Sequence, residues 1–206
     1  MTWQGTIAIE RMDGSVTEQA VEAFRLIYAE AFAEPPYNET EDGVAAAFRR
    51  FPSQVAKPAF RAVLARTEDG EPVGMAYGHP LAPDTGWWDE LAEPVAEDMR
   101  REDGHRTFGL MELAVRAAWR GHGVAARLHE ALLDGIAAER VLLNVHPGGT
   151  AASAAYRAWG YRRIGETRPW GTGEDRYDAM LLDLRRQEPM NAVGTAGGVD
   201  RRPNRP

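Results

Sequence analysis

The chain has 206 residues, of which 44% are hydrophobic and 27% charged, and its formal net charge is −7. These totals fit one globular domain with a buried core, and the acidic balance argues against a general nucleic-acid binder. Because there is no cysteine, disulfides, thiolate metal sites and a covalent cysteine intermediate are excluded. We recognise neither a membrane-spanning apolar run nor a secretion signal, so we expect a cytoplasmic protein with no membrane partner.

The N-terminal part of the chain predicts one strand and two helices. Weak alternation over residues 2–10 indicates the strand. The spacing of apolar residues over 17–33 predicts an amphipathic helix, which Pro35 and Pro36 end. A second helix is predicted over residues 40–51. We expect the buried side of the first helix to consist of Val21, Phe24, Leu26, Ile27, Ala31 and Phe32.

A hairpin and a long connection follow. The hairpin strands are predicted at Phe60–Arg66 and Pro72–Tyr77, because Asp69-Gly70 between two apolar runs is a strong hairpin signal. Residues 80–105 form the connection, and its charged middle, Trp87–Arg101, is predicted to be helical.

The last part of the chain alternates strands and helices. We predict strands over 107–115, Val141–Val145, Tyr161–Gly165 and Tyr177–Leu184, and helices over 121–138 and Ala151–Trp159. From residue 188 onward large apolar groups are scarce, so we expect a disordered tail over 188–206 after a single domain over 1–187. A strand–helix–strand order demands a parallel crossover. The predicted fold class is therefore α+β, with a mixed, mostly antiparallel sheet, one splayed parallel strand pair and flanking helices.

A glycine-containing loop begins the helix after the strand Leu110–Val115. Its sequence is Arg120-Gly121-His122-Gly123-Val124-Ala125. Glycines at a helix start leave backbone N–H groups bare, and these groups favour an anion such as a pyrophosphate. Ordinary helix-start glycines are the alternative interpretation. A dinucleotide site fits less well, because several residues separate the strand from the glycines and the next strand ends in Asn144 and His146 rather than in an acid.

Two sequence blocks, one over residues 113–125 with Arg120 and Gly123 and one over residues 151–161 with Tyr156 and Gly160, occur in order and are separated by a strand. Together they resemble the GNAT superfamily of N-acetyltransferases over roughly residues 3–186. The first block is Leu113-x-Val115 followed by Arg120-x-x-Gly123-x-Ala125, which is similar to the acetyl-CoA pyrophosphate loop of that family. The second is Ala151-Ala-Ser-Ala-Ala-Tyr156-Arg-Ala-Trp-Gly160-Tyr161, similar to the family's Ala-x-x-x-Tyr-x-x-x-Gly-Phe segment.

The resemblance implies that acetyl-CoA is the donor co-substrate. Backbone N–H groups of Gly121, His122, Gly123, Val124 and Ala125, together with Arg120, would hold the pyrophosphate. The strand edge at Leu113, Ala114 and Val115 would pair with the pantetheine arm. The family commonly has an asparagine seven residues before its tyrosine, touching pantetheine, whereas this chain has Gly149.

Tyr156 and Glu112 are the candidate catalytic residues. The resemblance makes Tyr156 a general acid for the departing thiolate; the alternative is a packing tyrosine. Glu112 is the only acid of its strand, and alternation predicts that Met111 and Leu113 point away from it. It is either the general base for the amine or a carboxylate that pairs with an arginine. We expect no metal, since His129-Glu130 lacks partners at ligand spacing.

Acceptor binding is predicted at two acidic, aromatic segments, through Phe32 and Tyr37 and through Trp87 and Trp88. Aromatic faces with carboxylates suit a small cationic, partly apolar amine. A solvated charged helix anchored by a tryptophan is the alternative. The resulting hypothesis is direct acetyl transfer to an amine; the alternative is a catalytically idle acetyl-CoA-binding or regulatory domain. The scaffold often dimerises through sheet edges, so the resemblance allows a homodimer.

Overall fold

A seven-stranded sheet forms the centre of the protein in the computed structural model, which describes residues 6–168 and 176–186. The spatial order of the strands is β1-β2-β3-β4-β5-β7-β6. Every neighbouring pair is antiparallel except β4 and β5, which are parallel. The predicted fold class is confirmed. The strands are β1 (Ile7–Met12), β2 (Arg61–Thr67), β3 (Pro72–Pro80), β4 (Thr107–Val115), β5 (Arg140–Val145), β6 (Arg162–Thr167) and β7 (Tyr177–Asp183).

Six α-helices flank the sheet within the described residues. They are α1 (Gly14–Gln19), α2 (Val21–Phe32), α3 (Glu41–Val55), α4 (Glu97–Arg100), α5 (Val124–Leu133) and α6 (Thr150–Ala158). Short 3₁₀ turns lie at Trp87–Glu90, Ala117–Trp119 and Leu184–Arg186. In these same residues no helix has the length and apolar character needed to cross a membrane. The predicted tail over 188–206 lies outside the described residues, as does the start of the predicted first strand.

The predicted helix over 17–33 is two helices, which corrects the prediction. Asp13 caps α1, because its carboxylate accepts a hydrogen bond from the Val16 amide at 3.0 Å. The turn at Ala20 then separates α1 from α2. Phe24, Ile27 and Ala31 are buried as predicted, but Leu26 is 41% exposed because it lies on the outer side of α2.

The predicted helix over Trp87–Arg101 is also wrong. The segment contains a 3₁₀ turn, an extended stretch and the single turn α4. Pro94 lies in the middle of it, and a proline disfavours helix at the preceding residue and donates no backbone hydrogen bond. Instead, Leu91 forms a bridge with Thr167, so the connection packs against the edge of the sheet.

Two apolar layers cover the faces of the sheet. One lies under α5 and α6 and includes Phe108, Leu128 and Val141. The other lies under α2 and α3 and includes Phe24 and Met75. A third cluster, around Leu81, Trp88 and Leu142, lies under the long connection. Apolar clusters thus cover both faces of the sheet, and a gap lies at its centre between β4 and β5.

The parallel strands β4 and β5 separate along their length. They pair only where Thr107, Phe108 and Gly109 face Arg140, Val141 and Leu142. Beyond this point their backbone groups diverge, which leaves the β4 edge over residues 110–115 without a neighbour on that side. The gap between the strands defines the candidate site.

Candidate active site

A cavity of about 530 Å³ occupies the gap between β4 and β5. Five segments line it: β4, the glycine loop with the start of α5, the end of α2 with the following loop, the end of β5, and α6 with the turn that leads into it. The lining residues are 31–32, 35–37, 110–115, 119–121, 123–126, 144–145, 148–152, 155–156 and 159. Both predicted catalytic residues and all predicted cofactor-binding residues except His122 therefore border one space.

The glycine loop presents backbone amides at one end of the cavity. Gly121 and Gly123 adopt left-handed conformations, with φ of 77° and 75°, which glycine adopts without the strain of a side chain. Gly123 is the N-cap of α5, and within the described part of the chain no side-chain hydrogen bond caps this helix start. His122 is exposed and is not among the residues that line the cavity. Bare amides at a helix start suit an anionic group.

The Arg120 side chain fastens this loop to α2. Its guanidinium donates to the Glu34 carboxylate at 3.0 Å, to the Ala31 carbonyl at 2.9 Å and to the Val115 carbonyl at 3.2 Å. A cation at a helix C-terminus is favourable, since the last carbonyls lack partners within the helix. Arg120 thus connects the end of α2 to the end of β4, and a pyrophosphate contact of its side chain stays a prediction.

A β-bulge sets the position of Glu112. Tyr77 pairs with Glu112 and Gly78 with Leu110, so Met111 has no partner on β3. Met111 packs with the cluster under the long connection, whereas Leu113 packs on the opposite face under α5. Our prediction that these two residues share a face is therefore wrong, because a bulge interrupts strand alternation.

The Glu112 carboxyl is half-buried among aromatic hydroxyls. Burial raises its pKa to about 8; the amide of Leu113, as a hydrogen-bond donor, opposes this, and the charge of Glu39 adds to it. In turn, burial and the Glu112 charge raise the pKa of four tyrosines, Tyr28, Tyr37, Tyr77 and Tyr156. A carboxyl that titrates near neutral pH is matched to proton transfer.

Tyr156 lies on α6 and reaches the cavity from the other face of the sheet. The residue is 7% exposed, and its ring lies 5.5 Å from Trp159 and 5.4 Å from Tyr161. Burial first, and then the charges of Glu112 and Tyr37, raise the pKa of its phenol. The hydroxyl therefore keeps its proton and acts as a hydrogen-bond donor.

His129 is a core residue rather than a site residue. It is buried, forms a 2.9 Å hydrogen bond with the Tyr161 hydroxyl and stacks on Trp159 at 4.6 Å. Burial lowers its pKa to about 4, so the imidazole is neutral. Among the residues that the structure describes, no group of three or more His, Asp or Glu side chains has the arrangement of a metal site.

Aromatic rings form the wall of the cavity next to Glu112. The rings of Phe32 and Tyr37 lie 4.7 Å apart, and both residues border the cavity. Tyr37 also contacts His146, whose ring meets Tyr177 at 5.3 Å. The sequence prediction included Phe32 and Tyr37 but missed the ring of His146, because its place beside Tyr37 depends on how the loop after α2 meets the turn after β5.

The loop after α2 lies directly on the turn before α6. A Cβ atom at Gly148 would lie 2.8 Å from Cβ of Pro36, and one at Gly149 would lie 3.0 Å from the His146 carbonyl oxygen and 3.4 Å from the Tyr37 hydroxyl. Only residues without side chains allow this approach. We called Gly149 a departure from the family pattern, and the close contact gives it a physical reason.

Trp87 and Trp88, the other two residues predicted to bind the acceptor, do not border the cavity. Trp88 is 3% exposed and packs in the cluster under the long connection. Its indole N–H donates to Glu102 at 3.0 Å, and the Arg140 guanidinium lies over its ring at 5.0 Å. Trp88 is therefore a structural residue, and Trp87 packs beside it.

Comparisons with known proteins agree with this geometry. A model of the GNAT acetyltransferase family matches residues 21–161, and the chain belongs to this family. No curated protein sequence matches significantly.

Solved structures with the same fold include PH1933 from Pyrococcus horikoshii OT3, with a TM-score of 0.61, 17% identity and coverage of 86% of this chain and 98% of that one. The ribosomal-protein-S18-alanine N-acetyltransferase from Escherichia coli has a TM-score of 0.53 and 19% identity, and the match covers 87% and 94% of the two chains. The NatC complex bound to Gag peptide and CoA has a TM-score of 0.55 and 16% identity, and the match covers 86% of this chain and 98% of that one. Similarity at these identities supports the fold alone.

Proposed function

We propose that this protein transfers the acetyl group of acetyl-CoA directly to a small, cationic primary amine. One observation carries the proposal: a single cavity is bordered by the glycine loop at one end and by Glu112 and Tyr156 farther in. The amides of the loop suit the pyrophosphate. The free β4 edge at residues 110–115 suits the amide groups of pantetheine, which would pair with it as an added strand does.

Glu112 serves as the general base. The acceptor ammonium first loses one proton to water and becomes a neutral, nucleophilic amine. The Glu112 carboxylate, with a pKa of about 8, accepts the second proton, which the nitrogen loses as it is acylated. The amine nitrogen then forms a bond to the thioester carbon, the carbon–sulfur bond breaks, and the thiolate of CoA leaves.

Tyr156 donates a hydrogen bond to the departing sulfur. A thiol has a pKa of about 8.5, whereas burial raises the pKa of this phenol above its usual value. Complete proton transfer from Tyr156 is therefore uphill, and its main effect is to stabilise the negative charge that develops on sulfur.

The surroundings of Glu112 support a cationic acceptor. The rings of Phe32 and Tyr37 border the cavity, and aromatic faces attract ammonium groups. A second carboxylate, Glu39, accepts a hydrogen bond from the Tyr28 hydroxyl at 3.3 Å and adds negative charge near Glu112. The loop after α2 covers this side by resting on Gly148, which favours a small acceptor over a polypeptide.

The decisive experiment combines calorimetric binding of CoA with an assay for free thiol. Purified protein is incubated with acetyl-CoA and with aliphatic monoamines, diamines, arylalkylamines, amino acids and short peptides. We expect micromolar CoA binding and thiol release with at least one small amine. Binding without turnover on any acceptor would instead support the idle acetyl-CoA-binding domain, and absence of binding would contradict both functions.

Substitution of Tyr156 by Phe tests the role of the hydroxyl. We expect kcat to fall by about 10- to 100-fold with little change in the dissociation constant of CoA, because Phe keeps the packing against Trp159 and loses only the donor. Steady-state kinetics and calorimetry measure the two quantities. An unchanged kcat would show that the hydroxyl does not assist departure of the thiolate.

Substitution of Gly148 by Ala tests the covering loop. The new Cβ would displace Pro36 and with it Tyr37, so we expect kcat/KM for the amine to fall by about tenfold, since small displacements from reactive geometry are costly. CoA affinity should change much less. Gly86→Ala is the matched control, because a Cβ there meets no atom within 4 Å. Equal amine kinetics for the two variants would argue against a role of the loop in acceptor binding.

A further inference from the structure

Asn144 has a buried polar atom without a partner at the centre of the site. Its side-chain oxygen Oδ1 is one of two buried side-chain polar atoms that lack a hydrogen bond within the described residues. The other atom belongs to Glu102, whose second carboxylate oxygen accepts three hydrogen bonds. Asn144 borders the same cavity as Glu112 and Tyr156.

The register of the parallel strands places Asn144 opposite Glu112 across the gap. The last pair joins Gly109 to Leu142. Asn144 lies two residues beyond that pair on β5, and Glu112 lies three beyond it on β4, where the bulge adds a residue. Leu143 and Val145 pack in the cluster under α5 and α6, so Asn144 points to the other face, toward the acceptor side.

Fold stability does not account for an asparagine at this position. Asparagine is disfavoured in strands, and its β7 neighbour is Ala179, which offers no side-chain partner. An unpaired buried amide oxygen costs free energy that a β-branched or aliphatic residue would avoid. The amide therefore points to a partner that arrives with the substrate.

We propose that Asn144 is a positioning residue that accepts a hydrogen bond from the acceptor nitrogen. The inference rests on the proposed function and deepens it. Asn144 borders the cavity, and a half-turn of its carboxamide, which exchanges the positions of oxygen and nitrogen, breaks no hydrogen bond of Oδ1.

The chemistry of the attacking nitrogen explains why two hydrogen-bond-accepting side chains are useful at this place. A neutral primary amine has one lone pair and two N–H bonds. The lone pair attacks the thioester carbon, one N–H faces Glu112 and loses its proton there, and the other N–H donates to Asn144. A secondary amine can satisfy only one of these two groups, so the pair Glu112 and Asn144 selects primary amines.

The test uses two probes that do not require the natural acceptor to be known. Both are CoA derivatives alkylated on sulfur: one carries –CH₂–CO–NH–butyl and the other –CH₂–CO–pentyl, which replaces the N–H by a methylene group. The amide retains the N–H that remains after transfer and that would donate to Asn144. The ketone has the same length and no donor.

We expect the wild-type protein to bind the amide probe about fivefold more tightly than the ketone probe by calorimetry, as one neutral hydrogen bond allows. Asn144→Leu should bind the two probes equally and bind CoA as the wild type does. Its melting temperature should be unchanged or higher, because the substitution removes an unpaired buried polar atom. Asn144→Ala, which cannot overfill the site, should likewise lose the discrimination.

Two results would overturn the inference: equal binding of both probes by the wild type, or undiminished discrimination in both variants. A large loss of melting temperature in Asn144→Leu and Asn144→Ala alike would assign Asn144 a purely structural role. Failure of the proposed function is distinguishable from these outcomes, because it would show as absence of CoA binding or as CoA binding without thiol release on any amine, and the probe comparison measures neither.

Discussion

Replacing Glu112 by Gln is expected to abolish most of the activity and to stabilise the protein at the same time. Glutamine keeps the shape of the side chain but cannot accept the proton of the amine, so we expect kcat to fall by about 100-fold or more. The wild-type kcat/KM should rise with pH through about 8, because only the deprotonated carboxyl is active. In Glu112→Gln this rise should disappear. Both effects are measured from pH 6 to pH 9.

The stability effect follows from the direction of the pKa shift. The folded-state pKa of Glu112 is raised above its unfolded value of about 4.5, so the folded protein binds more protons between these two values. The stability of the wild type therefore falls as pH rises from about 4.5 to about 8, since the charged form is poorly solvated when folded. Glu112→Gln avoids this loss and should be more stable by roughly 2 to 4 kcal/mol at pH 8.

Glu68→Gln is the control, because Glu68 is exposed in the turn between β2 and β3, far from the cavity lining. It should leave both the activity and the pH dependence of stability unchanged. If chemical denaturation shows the same pH dependence for the wild type and for Glu112→Gln, burial does not perturb this carboxyl. If the rise in kcat/KM survives the substitution, another group is the base.

Loss of the Glu102 carboxylate is expected to be the most destabilising single change outside the site. One of its oxygens accepts hydrogen bonds from Trp88 Nε1 at 3.0 Å, from the Thr107 hydroxyl at 2.8 Å and from the Arg140 guanidinium at 3.0 Å. The side chains of Glu102 and Arg140 are 0% and 7% exposed. Glu102→Ala leaves a buried guanidinium without its counter-charge, and we expect a loss of about 3 to 5 kcal/mol.

Thermal and chemical unfolding measure this loss, and a double substitution separates its causes. Glu102→Met combined with Arg140→Met removes both charges and retains most of the volume, so it should recover much of the stability that Glu102→Ala loses. CoA binding at low temperature should persist in the double variant, because neither residue borders the cavity. A cost below about 1 kcal/mol for Glu102→Ala would mean that the pair is effectively solvated.

The features that the sequence predicts well are those with a local cause. The glycine loop is recognisable because Gly121 and Gly123 adopt conformations that favour glycine. The positions of the strands follow from hydrophobic periodicity, and the parallel pair follows from the strand–helix–strand order and from the resemblance to a family.

The features that escape prediction depend on distant partners. Trp88 is structural because it meets Glu102, 14 residues away, and Glu102 in turn binds Arg140, 38 residues away. The bulge at Met111 exists only relative to the register with β3. Asn144 stands out only because its side-chain oxygen lacks a hydrogen-bond partner among the described residues, and no local sequence pattern reveals this. These features arise from contacts between residues that are distant in sequence, so a short stretch of sequence does not reveal them.

The contacts of Arg120 bear on how acceptor specificity can change in this scaffold. One side chain joins the strand end that would receive pantetheine to the helix end that leads into the acceptor wall, through Val115, Ala31 and Glu34. If the proposed function holds, the parts of the cavity that would bind donor and acceptor are therefore linked through this one side chain. A loop taken from another acetyltransferase would therefore need a carboxylate in place of Glu34 to bind Arg120. Without it, a change made to alter acceptor specificity would also be expected to alter CoA binding.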